Sequence, residues 1–131
     1  MKLSSDLDML HLKEALEASW NVDTSYEQVS VLGNPALGQC YPTSRVVQSF
    51  FPETEIVQGQ VWNTEKIEIH FWNVLNVGGK LLHIDLTWQQ FPLGSSVRTY
   101  EIRDRGTLND SRKTIDRFEL FNMRVRKFLA L

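Results

Sequence analysis

The chain has 131 residues, 42% hydrophobic and 23% charged, which is enough for one real core and short for two, so a single domain over residues 1–131 is expected. Its formal charge of −2 gives no whole-chain case for nucleic acid. One cysteine leaves no internal disulfide, and a thiol that must stay reduced suits a reducing cytoplasm.

From the N-terminus, Met1 to Asp8 lacks the apolar core of a signal peptide, and no apolar run approaches the roughly 20 residues that span a bilayer. The expectation is a soluble, unprocessed chain without a membrane partner. Residues 6–20 set Leu7, Leu10, Ala15, Leu16 and Trp20 near helical spacing, with Ser4 or Ser5 available as N-cap. Residues 21–38, with Gly33, Asn34-Pro35 and Gly38, read as a loop over the site.

A second helix is expected from Cys40. Val46, Val47, Phe50 and Phe51 give it an apolar face, Pro42 fits only a first turn, and Pro52 is the stop. The period then changes to alternation, rich in Ile, Val, Phe and Trp, over 55–61, 66–75 and 80–88. Three such strands in sequence imply an antiparallel sheet, and 97–103 adds a candidate fourth. Residues 109–129 close the chain as a helix with Ile115, Phe118, Phe121, Val125 and Phe128 on one stripe. The whole reads as an α+β fold with helices segregated from strands.

The chemistry centres on Cys40, in Gly38-Gln39-Cys40 at a helix start, followed by His70 and Asp85. A thiol attacks as thiolate, so a catalytic cysteine needs a helix N-terminus or a basic partner, and that partner needs an orienting group. Strands 66–75 and 80–88 are joined by Asn76-Val77-Gly78-Gly79, a short link that suits a hairpin. With Val77-Gly78 as the two-residue loop, His70 faces Asp85 directly. With Gly78-Gly79, the two lie on one face a diagonal step apart, and a three-residue loop sends them to opposite faces. In either two-residue register the carboxylate fixes one imidazole nitrogen and leaves the other for the thiol. The Cys40 N–H then serves an oxyanion, an interaction worth about 3 kcal/mol in other enzymes. Asn34 and Gln39 are both candidates for a second donor.

Asn34-Pro35-Ala36-Leu37-Gly38-Gln39-Cys40, Val46-Val47-Gln48, His70-Phe71-Trp72-Asn73, Asp85-Leu86-Thr87 and Arg117-Phe118-Glu119-Leu120-Phe121 resemble the motifs of the YunG-like family of small bacterial proteins. That likeness runs almost end to end, takes in Trp20, and implies an architecture and a motif set rather than a reaction. More distantly, the Cys, His, Asp order resembles the papain-like superfamily, above all its transglutaminase-like branch and the arylamine N-acetyltransferases. This resemblance implies a cysteine at the start of a helix packed on a sheet whose adjacent strands carry histidine and acid. It makes Cys40 nucleophile, His70 base and Asp85 orienter, and puts Asn34 where those enzymes carry an oxyanion glutamine.

The expected function is acyl transfer on an amide substrate, protein or peptide among them, by hydrolysis, deamidation or transamidation with no cofactor. Trp72 and Trp88 are candidate cleft walls, although such residues, Trp62 included, are more often core. The alternative is a catalytically inactive binding module that uses the cleft or the basic C-terminal helix. Residues 98–131 carry nine Lys/Arg against five Asp/Glu, which a solvated helix face explains equally well. A zinc site from His70, His83, Asp85 and Cys40 is the third reading, without C-x-x-C or H-E-x-x-H spacing to support it, and no metal is expected.

Overall fold

The structure, a computed structural model, describes residues 8–25 and 33–131. Its elements are α1 (Met9–Ser19), α2 (Cys40–Phe50), β1 (Glu55–Trp62), β2 (Ile67–Val77), β3 (Lys80–Ile84), β4 (Ser96–Arg103) and α3 (Arg112–Phe128). The α+β pattern holds: three helices and one four-stranded antiparallel sheet in the order β3-β2-β1-β4. β1, β2 and β3 form successive hairpins, and the chain then returns to the far edge to add β4 beside β1.

The helices share one core. Leu12, Ala15 and Leu16 of α1 meet Val46, Val47 and Phe50 of α2 and Phe121 and Val125 of α3, with Phe51 closing the cluster. Each of the Leu, Val and Phe side chains contributes about 1.5–3 kcal/mol by leaving water. α1 is capped by Asp8, whose side chain accepts from the His11 N–H; Ser4, Ser5 and Leu7 lie outside the described residues. Leu10 is 64% exposed and Leu12 takes the core position, because the helix face turned inward is centred on 12, 15, 16 and 19. α3 begins three residues later than its periodicity suggests, since Ser111 caps it through the Thr114 N–H. Phe128, at its far end, is exposed.

β2 is tied to α2 by Asn73, a buried amide whose Nδ2 donates to the Ser44 carbonyl at 3.0 Å. Phe71, on the same face of the strand, meets Tyr41 edge to face at 4.7 Å. The β2–β3 turn is Gly78-Gly79: both residues have positive φ, 58° and 87°, and the Gly79 N–H donates to Asn76 Oδ1. Such a two-residue turn matches the twist of its strands only where both positions accept positive φ. Ladder pairing confirms it, with Val77 opposite Lys80 and Asn73 opposite Ile84. The strand expected over 80–88 stops at Ile84, and Trp88–Gln90 is a single 3-10 turn.

Gly59 sits opposite His70 on β1, and a Cβ there would collide with the indole of Trp72. With glycine at that point the indole occupies the space a side chain would need. Gly59→Ala is therefore expected to destabilise by about 1–3 kcal/mol, read as a lowered thermal midpoint; an unchanged midpoint would show that Trp72 moves aside at no cost.

Candidate active site

Cys40 is the first residue of α2, and its cap residue Gln39 makes no side-chain capping bond. The first intrahelical acceptance comes only at Thr43 N–H to Gln39 O, 2.9 Å, so the N–H groups of Cys40 and Tyr41 have no acceptor among the described residues. Unspent donors and the positive end of the helix dipole thus converge on the thiol's own backbone.

His70 is fully buried. Its Nε2 donates to Asp85 Oδ2 at 2.7 Å, the diagonal contact of the Gly78-Gly79 register. Asp85 lies one residue beyond the end of β3, and its other oxygen accepts from the Thr87 N–H at 3.1 Å, so the backbone after the strand aims the carboxylate. The second ring nitrogen, Nδ1, is buried and has no partner within hydrogen-bond geometry among the described residues, with Cys40 the group that interacts with the ring on its other side. Burial alone would push the imidazolium down, but the interactions of Asp85 and then of Cys40 with the ring outweigh it and raise the pKa from 6.5 to about 9. The structure therefore brings Cys40, His70 and Asp85 together.

The ring is enclosed by aromatics. Phe91 presents an edge at 4.8 Å, Trp72 lies at 5.5 Å and Trp88 at 6.1 Å. Trp72 is buried, and its Nε1 donates to His83 Nδ1 at 2.9 Å. Neither Trp72 nor Trp88 lines the cleft beside Cys40. That cleft, about 640 Å³, is walled instead by Ile67, Ile69 and Phe71 of β2, by Tyr41, and by Gln90 and Phe91. The two tryptophans missed it because the strand and 3-10 turn that carry them pack the indoles around the imidazole.

The two amide candidates part company. Gln39 is buried, its Oε1 accepting from Thr24 Oγ1 at 2.8 Å and its Nε2 donating to Asn21 O at 2.9 Å. It pins the 21–25 turn to the helix start and, like Asn34, does not line the cleft. Asn34 donates from Nδ2 to Gln90 O at 3.1 Å, tying the loop before Cys40 to the segment after Asp85. Residues 26–32 of the expected loop lie outside the described residues.

Sequence reasoning missed Tyr41, Arg45 and Asp110. The Tyr41 hydroxyl donates to Asp110, which also takes Arg45 Nη2 at 2.9 Å. Burial first, then that carboxylate, push the Tyr41 hydroxyl well above its ordinary value, so it stays a donor. Asp110 reads in the sequence as punctuation before α3, and nothing local pairs it with a residue sixty-nine positions earlier. Of the basic helix, Arg124 grips Asp23 at 2.6 and 2.7 Å, holding that carboxyl below its usual range, and Arg112 meets Asp116 at 3.1 Å. Among the described residues no three of His, Cys, Asp and Glu gather into a metal site, and no helix is long and apolar enough to cross a membrane.

Fold and site together define an α+β protein with a helix-initiating cysteine set against a buried histidine–carboxylate pair. The chain belongs to the YunG protein family, whose model matches residues 8–130. No curated protein and no solved structure matches it.

The raised pKa of His70 makes folding stability pH-dependent with a definite sign. The imidazolium's contribution is complete below pH 6.5 and is lost as pH rises through about 9. The loss amounts to about 3 kcal/mol. Urea unfolding across pH 6–10 is expected to show this decline in the wild type and a flatter profile in His70→Gln; parallel profiles would refute it.

Proposed function

We propose that the protein is a papain-like cysteine enzyme that performs acyl transfer on an amide. The observation that carries this reading is the division of labour on His70: Nε2 is committed to Asp85, and Nδ1 is buried without a partner among the described residues on a ring that Cys40 also influences. A structural histidine in a core satisfies both nitrogens. One left open beside a thiol is arranged to pass a proton.

In the first half-reaction Cys40 Sγ, its proton held on His70, attacks the amide carbon, and the carbonyl π pair moves onto oxygen. The Cys40 N–H stabilises that oxyanion. Asn34 Nδ2 keeps one hydrogen beyond the one Gln90 O takes, as Gln39 Nε2 does beyond the one Asn21 O takes, and neither side chain lines the cleft, so the Cys40 N–H is the donor on which this reading rests. The C–N bond then breaks, His70 gives its proton to the leaving nitrogen, and a thioester remains. In the second, water or an amine attacks the thioester, His70 accepts the incoming proton, and the thiolate departs. Water gives hydrolysis or deamidation, and an amine gives transamidation. Asp85 holds the ring in place throughout. No step requires a cofactor.

The papain-like assignment is supported by the same geometry: a helix beginning at the cysteine packs on antiparallel strands, with the histidine on one and the acid just past the end of its neighbour. The binding-module reading through the basic helix is weaker, because Arg112 and Arg124 are already engaged by Asp116 and Asp23.

Iodoacetamide labelling of folded protein tests the couple. Cys40→Ala removes labelling, and His70→Ala is expected to slow the wild-type rate at pH 6 by at least about tenfold, because the thiol then has no base beside it to take its proton. Asp85→Asn is expected to fall between them. Equal rates in wild type and His70→Ala would overturn the enzyme reading.

A further inference from the structure

The β-sheet has a gap beside the cysteine. β3 pairs with β2 only from Asn73 to Val77, so from Ile67 to Trp72 β2 has no strand on that flank. The segment that carries Asp85 to Phe91 fills the inner part of the gap, burying His70 and Trp72. Ile67 and Ile69 remain open, 48% and 51% exposed, and both line the cleft that contains Cys40.

Hydrogen-bond alternation tells which backbone groups face the gap. Val77 and Lys80 flank a two-residue turn and so form a hydrogen-bonded pair, which turns the N–H and C=O of every odd residue of β2 toward the β3 side. The other hairpin agrees, since the Asn63 N–H donates to Lys66 O and thereby assigns the even residues to β1. The N–H and C=O groups of Ile67 and Ile69 therefore point into the gap, and none has a partner among the described residues.

The geometry points to an extended polypeptide segment as the substrate of this site, added as a strand against Ile67–Ile69 of β2 so that its backbone leads to Cys40. A small acyl compound offers one carbonyl. Two residues on a strand present donors and acceptors repeated about 7 Å apart, a pattern that another extended backbone matches. The cleft also takes in Lys66 and Glu68, the residues on either side of Ile67, as a strand lying along β2 requires. The outer edges of β3 and β4 present backbone too, but β3 contributes no residue to the cleft that holds Cys40 and β4 contributes only Arg103 at its end. This inference rests on the acyl-transfer reading for its chemistry, whereas the binding itself needs no reactive thiol.

The test is fluorescence anisotropy with a fluorescein-labelled peptide, Thr-Val-Thr-Val-Thr-Val, and the same peptide N-methylated at alternate residues. Wild type and Cys40→Ala are expected to bind the first peptide equally and the methylated one at least tenfold more weakly. Ile69→Pro deletes the donor facing the gap and spares the β1 ladder. It is expected to lose the same tenfold in affinity for the unmethylated peptide. Equal binding of both peptides, or no binding, overturns the inference, and the methylated peptide serves where Ile69→Pro fails to fold. A dimer by light scattering that Ile69→Pro dissociates also overturns it, since the edge would then belong to a second copy. Iodoacetamide labelling reports on the Cys40–His70 couple independently, so failure of either reading is seen without the other.

Discussion

The register of the β2–β3 hairpin governs the site. Two glycines at positive φ close the turn in two residues, and that length fixes the parity with which every later residue of β3 meets β2. Even parity puts Asp85 and His70 on one face, and the 2.7 Å contact between them follows from a diagonal step. One more residue in the turn would turn the carboxylate to the other face and leave a buried imidazole with neither nitrogen satisfied. Such a loss costs roughly 1–3 kcal/mol for a neutral group and more for a charged one.

Around that pair the structure is organised by where β3 ends. Because the strand stops at Ile84, Asp85 sits outside the ladder, and the Thr87 N–H can take one carboxylate oxygen while His70 takes the other. The freed chain then folds Trp88 and Phe91 onto the imidazole and offers Gln90 O to Asn34. The loop before Cys40 is therefore anchored to the loop after Asp85. The start of α2 is held from its other side by Gln39 on the 21–25 turn. A short strand thus creates both the enclosure of the histidine and the open flank of β2 beside the thiol.

Much of this was legible in the chain. Alternating Ile, Val, Phe and Trp residues placed three strands within two residues at all but one boundary, and the Pro42 and Pro52 brackets located α2. The two candidate registers included the one observed. What escaped were features without a local signature. The strand end at Ile84 is set by the turn of backbone that buries His70, Leu12 displaces Leu10 because the neighbouring helices choose the inward face, and Gln39 is consumed by Asn21 and Thr24, eighteen and fifteen residues earlier.

By itself the sequence determined the α+β order, the helix start at Cys40, and the restriction that His70 and Asp85 share a face if the glycine turn is two residues long. These depend on φ preferences, on period and on the geometry of nearest neighbours along the chain. Only the tertiary structure decided that Nδ1 of His70 is buried with no partner among the described residues, that Tyr41 is held by Asp110, itself paired with Arg45, and that the cleft is walled by Ile67, Ile69 and Phe91 rather than by Trp72 and Trp88. The reason is physical: burial and hydrogen-bond satisfaction depend on which distant segments arrive at a point, and composition and spacing carry no record of that arrival.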